Sequence, residues 1–161
     1  MARSRTPVNV ADTARRLAAQ RELWRLLVDY DPITRYYARL ASEPGWEAWL
    51  LTWLPGQGTP WHDHGESAGS FVVLHGVLTE SVAAPDRPDP DAGLVPRATT
   101  EHGEGDQRAF GRHYVHRVVN NGLDPAASLH VYSPKLVTMT DYDETRGRLL
   151  PRQMRLQGVD W

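Results

Sequence analysis

The sequence predicts an all-β domain, a barrel or a sandwich, preceded by one helix. The first observation is the order of the elements, because a helical pattern near the N-terminus is followed by many short runs with strand character. The second is that turns rich in glycine and proline separate these runs, as is typical of antiparallel β proteins. The third is the length of 161 residues, which predicts a single domain over 1–161 with a proper core.

The helix is predicted over residues 9–31. Asn9 or Asp12 can cap its beginning. Asp31-Pro32 ends it, since the residue before a proline avoids helical backbone angles. Apolar residues lie near one face of this helix, namely Leu17, Leu23, Trp24, Leu27 and Val28.

The barrel is predicted over residues 33–156. Its first strand covers residues 33–40, an aromatic-rich strand covers residues 46–54, and a long β-rich run covers residues 70–83. Residues 85–96 hold four prolines and three aspartates, and we expect an exposed loop there. The remaining strands are predicted near 98–102, 107–110, 113–119, 127–132, 137–142 and 149–156.

Composition excludes several function classes. A formal net charge of −2 and a pI near 6.4 give no electrostatic case for binding nucleic acid or an anionic membrane. No apolar run approaches the roughly 20 residues that cross a bilayer, and the first ten residues lack the apolar stretch of a signal peptide, so we expect a cytoplasmic protein. Cysteine is absent, so any metal must be held by His, Asp or Glu.

Two histidines are spaced to act together. His62 and His64 are two residues apart, and in a strand such residues project to the same face. Two adjacent imidazoles form half of a site for a first-row metal, although a His-x-His pair alone is also compatible with two surface histidines. His116 lies on another alternating strand and shares a face with Asn120. With this third histidine, the pattern predicts a metal site.

The spacing of these residues matches two known motifs. Gly56, the His62-x-His64 pair and Gly76 match the first cupin motif, and His116 with Asn120 matches the end of the second. The sequence therefore resembles the cupin family, which implies a double-stranded β-helix, or jelly-roll, barrel behind the N-terminal helical segment. The usual cupin glutamate ligand falls at Gly69. Three neutral imidazoles would leave the metal its full charge and open positions, which favours an anionic ligand and a redox metal.

A closer resemblance is carried by five further stretches. The chain resembles the cysteine dioxygenase family of thiol dioxygenases, in its bacterial form, over roughly residues 33–156. The matching stretches are Tyr37-Ala-Arg39, Trp61-His-Asp-His-Gly-Glu-Ser67, His116-Arg-Val-Val-Asn120, Ser128-Leu-His130-Val-Tyr132-Ser-Pro134 and Asp143-Glu-Thr-Arg-Gly147.

This resemblance implies roles for particular residues. It implies that His62, His64 and His116 bind iron(II) and that dioxygen is the co-substrate. Arg39 then pairs with the substrate carboxylate, as a planar, permanently charged guanidinium can, and Tyr37 assists it. Met154 stands where the family has a methionine near the substrate.

The resemblance also implies a relay formed by Ser128, His130 and Tyr132. In it the tyrosine hydroxyl reaches the reacting groups. The thioether of the animal enzymes cannot form, because its cysteine is replaced by Gly69.

The predicted reaction is the addition of both atoms of dioxygen to the sulfur of a small carboxylate-bearing thiol, with L-cysteine first. Arg39 favours an amino acid over 3-mercaptopropionate, while a larger thiol such as a thiol-bearing histidine derivative stays open, since Gly69 leaves space near the metal. A non-catalytic metal- or sugar-binding cupin, a cupin-fold epimerase and a zinc hydrolase are the alternatives from other classes. We expect a small-molecule substrate as partner and a monomer or small homo-oligomer.

Overall fold

The computed structural model of the chain describes residues 7–156. The helices are α1 (Val10–Ala19), α2 (Arg21–Trp24) and two 3-10 turns, Arg25–Leu27 and Pro90–Ala92. The strands are β1 (Tyr37–Glu43), β2 (Trp46–Trp53), β3 (Trp61–His62), β4 (Ala68–His75), β5 (Leu78–Pro85), β6 (Leu94–His102), β7 (Gln107–Phe110), β8 (Val115–Val119), β9 (Ala126–Ser133), β10 (Thr138–Thr145) and β11 (Arg148–Leu156). Within this described part of the chain, none of the helices has the length and apolar character that crossing a membrane requires.

The strands of residues 7–156 form two antiparallel sheets. The first has five strands in the order β1-β2-β9-β4-β7. The second runs β10-β11-β6-β5-β8-β3 and closes on itself, because β3 pairs with both β8 and β10. The all-β prediction is therefore confirmed, and so is the helical segment that precedes the strands.

The first sheet is buried on both faces. Leu51, Trp53 and Phe71 point into the interior between the two sheets, where they pack with residues of β8 and β10. Leu50 and Leu129 point the opposite way and pack beneath α1. Strands covered on both faces are buried at successive positions rather than alternately, and β2 and β9 show this pattern along almost their whole length.

The N-terminal segment differs from the single helix predicted over residues 9–31. Asn9 caps α1 through its side chain, as predicted. Helix α1 ends at Ala19, where the backbone N–H of the following Gln20 bonds to the Leu17 carbonyl, and helical structure in this segment stops at Leu27. The indole of Trp24 donates to the Ala18 carbonyl, and this bond holds α2 against the end of α1.

Two strand boundaries were also predicted wrongly. The first strand begins at Tyr37 and not at residue 33, because the Asp31 carboxylate accepts hydrogen bonds from the backbone of Ile33 and Thr34 and holds a turn there. The loop predicted over residues 85–96 extends too far, because its last residues belong to a strand. Leu94 already pairs with Pro85 in β5, so β6 begins inside that range.

Candidate active site

The three histidines of the sequence motifs meet inside the barrel. His62 on β3 lies directly opposite His116 on β8 in the strand pairing, and His64 follows two residues after His62. One ring nitrogen from each histidine lies within 4.8 Å of those of the other two, and all three side chains are buried. Imidazole nitrogens suit zinc, copper, iron and nickel. The residues therefore form a three-histidine site that can hold a metal ion.

Their surroundings keep these rings in the form that binds a metal. Burial, followed by the neighbouring charge of His116, lowers the pKa of His62 well below its ordinary value. Burial and the charge of His62 lower the pKa of His64 in the same direction. A metal binds the neutral imidazole, so both rings are ready to bind it at neutral pH.

The position of the missing cupin glutamate is filled by an aromatic ring. Gly69 on β4 pairs with Phe110 on one side and with Tyr132 on the other. A Cβ added at Gly69 would lie 2.6 Å from Cζ of Phe110, and the Phe110 ring stacks on His64 with centroids 4.9 Å apart. The expectation that Gly69 leaves space near the metal is therefore wrong, because Phe110 occupies that space.

A small cavity, about 20 Å³ in volume, lies beside the histidines. His62 and His116 form one wall of it, while His130 and Tyr132 come from the opposite sheet. Its other lining residues are Arg35, Leu51, Trp53, Thr59, Val118, Met139 and Arg155. Two arginines in a cavity of otherwise apolar, aromatic and imidazole character make it a site suited to an anionic small molecule.

The Ser128, His130 and Tyr132 series lies on β9, with its side chains on the interior face. Ser128 Oγ is 2.7 Å from Nε2 of His130, and the Tyr132 hydroxyl is 3.4 Å from Nδ1 of the same ring. Burial, with smaller charge effects, lowers the pKa of His130 to about 3, so this ring is neutral. Burial raises the pKa of the Tyr132 hydroxyl, which stays protonated.

A tryptophan begins this chain of hydrogen bonds. The indole N–H of Trp53 donates to Ser128 Oγ over 2.9 Å, so the serine's own hydroxyl hydrogen is the one available to His130. If Nε2 of His130 accepts it, Nδ1 carries the ring proton and donates toward the Tyr132 oxygen. The hydroxyl hydrogen of Tyr132 is then free to be donated into the cavity.

The structure does not bring three of the predicted substrate residues to the cavity. Arg39 is exposed and lies over the ring of Trp49, with Cζ 5.6 Å from its centroid. Tyr37 is 41% exposed beside the same tryptophan, and Met154 is 67% exposed on β11. Tyr37 and Arg39 pair with Leu51 and Trp49 and so lie on the interior face of the sheet, but β1 is an edge strand and both side chains remain exposed.

Other arginines and another methionine line the cavity in place of Arg39 and Met154. Arg35, in the segment before β1, lines the cavity with its Cζ 4.8 Å from the ring centroid of Trp53. Burial lowers its pKa to about 10, so it keeps its charge at neutral pH. Met139 on β10 is the methionine of the cavity, and Arg155 on β11 is held by Asp141 over 2.8 Å. The sequence did not point to Arg35, Met139 or Arg155. The only signal was the general need for an arginine to bind a carboxylate.

These features define a cupin with a three-histidine metal site and an arginine-lined cavity. A family model described as cysteine dioxygenase type I matches residues 5–145. The chain is also 30% identical over 129 residues to cysteine dioxygenase type 1 of Rattus norvegicus, covering 77% of this chain and 63% of that protein. The chain belongs to the cysteine dioxygenase type I family, and it spans somewhat less than two thirds of the length of this curated relative.

Solved structures agree with the fold. The TT1209 protein of Thermus thermophilus superposes with a TM-score of 0.57 at 22% identity, covering 69% of this chain and 93% of that chain. The cupin domain of Cnp3 from Schizosaccharomyces pombe superposes with a TM-score of 0.53 at 17% identity, covering 66% and 64%. At these identities the similarity establishes the cupin fold alone.

Proposed function

We propose that this chain is an iron(II)-dependent thiol dioxygenase that adds both atoms of dioxygen to the sulfur of a small carboxylate-bearing thiol, with L-cysteine converted to cysteine sulfinate as the first candidate. The single observation that carries the proposal is the composition of one cavity. Its walls combine two of the three metal-site histidines with the half-buried guanidinium of Arg35 and a protonated tyrosine.

The donor set fits iron. His62, His64 and His116 would hold it, and three neutral ligands leave the dication its full charge, which favours an anionic thiolate. When bound, the iron supplies the redox chemistry that joins dioxygen to sulfur, and the protein supplies binding, orientation and exclusion of water. The Phe110 ring occupies the space that a side chain at position 69 would need, so no carboxylate ligand would come from there.

Arg35 is the proposed partner of the substrate carboxylate, in the role that the sequence assigned to Arg39. Its charge sits in the cavity wall beside Tyr132, whereas that of Arg39 is at the surface. A guanidinium can grip a carboxylate through two parallel hydrogen bonds, and such a grip would aim the sulfur of a small thiol at the histidine cluster.

Tyr132 is the proposed proton donor of the site. When Ser128 donates to Nε2 of His130 and Nδ1 donates to the tyrosine oxygen, the hydroxyl hydrogen of Tyr132 is left to point into the cavity. It can therefore stabilise negative charge on the bound substrate or oxygen. Because its pKa is raised, it donates a hydrogen bond without losing its proton at neutral pH.

Cavity size favours a small thiol. The cavity of about 20 Å³ has room for roughly one or two water molecules, so a ligand must displace lining side chains, and the smallest thiols need the least displacement. This supports cysteine or 3-mercaptopropionate over a thiol-bearing histidine derivative. The second candidate function, a non-catalytic metal-binding cupin, explains the three histidines but gives no reason for the Trp53, Ser128, His130 and Tyr132 chain.

Oxygen uptake tests the proposal. The metal-free protein would be loaded under argon with iron(II) or with zinc, then mixed with air-saturated buffer and one thiol at a time. We expect oxygen consumption with iron and cysteine, slower turnover with 3-mercaptopropionate, and none with zinc. Iron-loaded protein that consumes no oxygen with any small thiol would contradict the dioxygenase proposal and favour the metal-binding cupin.

A further inference from the structure

The three metal-site histidines have different partners at Nδ1. The backbone carbonyl of Pro60 lies 2.9 Å from Nδ1 of His62. A carboxylate oxygen of Glu80 lies 2.7 Å from Nδ1 of His116. Nδ1 of His64 finds no hydrogen-bond partner within residues 7–156. The His62 ring therefore has a neutral acceptor and the His116 ring has an anionic one. The His64 ring has neither within the described residues.

A carbonyl and a carboxylate can only accept, so the Nδ1 atoms of His62 and His116 must carry the ring protons. Their Nε2 atoms then offer lone pairs to a metal. Of the two acceptors, the charged one makes the stronger and shorter hydrogen bond. It also makes the attached imidazole a better electron donor. His116 therefore differs chemically from the other two ligands.

Strand geometry explains how Glu80 reaches His116. Glu80 on β5 lies opposite Val118 on β8, and Val82 lies opposite His116. Glu80 and His116 are thus diagonal neighbours on the same face of an antiparallel pair, within reach of long side chains. The register of the β5–β8 pair therefore places the Glu80 side chain next to the His116 ring.

Glu80 itself is held on every side. It is fully buried, and the carboxylate accepts from Nε of Arg108 over 2.8 Å, from Nε2 of His102 over 3.1 Å and from the hydroxyl of Tyr114 over 3.0 Å. A buried carboxylate needs such partners to remain charged. Arg108 supplies the compensating positive charge, and the carboxylate cannot rotate away from His116 without breaking several of these bonds.

We propose that Glu80 is a positioning residue of the metal site, which fixes the ring of His116 with Nε2 toward the metal and makes it the strongest of the three ligands. The inference rests on the proposed function, because it requires that the three histidines hold a metal. Neither the family resemblance nor the histidine spacing points to Glu80. A structural role alone would affect the stability of the fold, whereas the proposed role also affects the metal.

The experiment measures cobalt(II) affinity, using the visible absorption of the bound ion, in the metal-free full chain and in two variants. Glu80→Gln keeps an oxygen acceptor but removes the charge, and we expect affinity to fall by about 10- to 100-fold. Glu101→Gln, an exposed carboxylate on the adjacent strand β6, is the matched control and should bind like the unmodified protein. Near-ultraviolet circular dichroism establishes that each variant is folded.

A second readout needs neither a variant nor a metal. Nitrogen-15 NMR of histidine-labelled, metal-free protein should show His116 protonated at Nδ1, with the proton shifted downfield by the carboxylate bond. A His116 ring protonated at Nε2 would overturn the inference, as would a folded Glu80→Gln protein with unchanged cobalt affinity. Failure of the unmodified protein to bind cobalt or iron would instead overturn the proposed function, and the inference with it.

Discussion

The two sheets contribute different halves of the candidate site. The closed sheet supplies the metal half, where His62 and His116 are direct cross-strand neighbours held by local contacts. The five-stranded sheet supplies Tyr132 and His130 on β9, and Arg35 enters from the segment before β1. The metal half depends on the pairing of adjacent strands, while the substrate half depends on how two sheets and a connecting segment face each other.

Substitution of a metal ligand is expected to have the largest effect. His116→Ala removes one of three nitrogen ligands, so affinity for iron(II) should fall by more than the roughly 100-fold upper range for residues that only support a ligand. Metal content after anaerobic dialysis and oxygen uptake with cysteine should be lost together. Retention of a full equivalent of iron would mean that His116 is not a ligand.

Arg35 distinguishes the substrate half from the metal half. Arg35→Gln removes a charge-assisted contact worth about 1.5–3 kcal/mol. We therefore expect kcat/KM for cysteine to fall about 10- to 100-fold, mostly through KM, with iron content unchanged.

The matched control is Arg39→Gln. It removes the same charge from an exposed arginine a few residues further along the chain. Its kcat/KM should stay within about twofold of the unmodified enzyme, as for most exposed substitutions. The reverse result, with Arg39 required and Arg35 dispensable, would restore the assignment made from the sequence.

Trp53→Phe tests the origin of the hydrogen-bond chain. Loss of the indole N–H removes one hydrogen bond, worth about 0.5–1.5 kcal/mol, and frees Ser128 to reorient. The orientation of His130 and Tyr132 is then held less firmly. We expect kcat to fall about 2- to 10-fold with little change in metal affinity. Steady-state oxygen uptake and iron content measure the two effects separately. An unchanged kcat would show that the chain does not begin at Trp53.

Gly69→Ala should affect stability more than chemistry. The added methyl would meet the Phe110 ring at 2.6 Å, and overpacking of this kind costs about 1–3 kcal/mol. Gly111→Ala is the control, because nothing lies within 4 Å of the added Cβ, and its stability should change by less than about 0.5 kcal/mol. Urea unfolding of the metal-free proteins measures both. Equal stability of the two variants would contradict the close contact between Gly69 and Phe110.

The sequence predicted the metal half better than the substrate half for a physical reason. His62 and His64 share a face because strand side chains alternate with a period of two, and this period is local. Alternation places Tyr37 and Arg39 on one face of β1, and the pairing with β2 puts them opposite Leu51 and Trp49, on the face that points between the two sheets. The sequence does not show that β1 is an edge strand of its sheet, where both side chains stay exposed. Arg35 precedes the strand, so alternation does not determine its direction.

Two further contacts were beyond sequence reasoning because they join distant segments. Phe110 fills the space at Gly69 across the β4–β7 pair. Glu80 meets His116 across the β5–β8 pair. The sequence contains each residue, but only the order of strands in the sheets makes them neighbours. The all-β class, by contrast, follows from short runs and turns that are visible locally.

The central claim is that the cavity joins dioxygen to the sulfur of a small thiol, and isotope labelling tests it most directly. The iron-loaded protein would be incubated with L-cysteine under oxygen-18 gas, and the product analysed by mass spectrometry. We expect cysteine sulfinate in which both sulfur-bound oxygen atoms carry the label. Cystine without labelled sulfinate, or sulfinate with unlabelled oxygen, would contradict it.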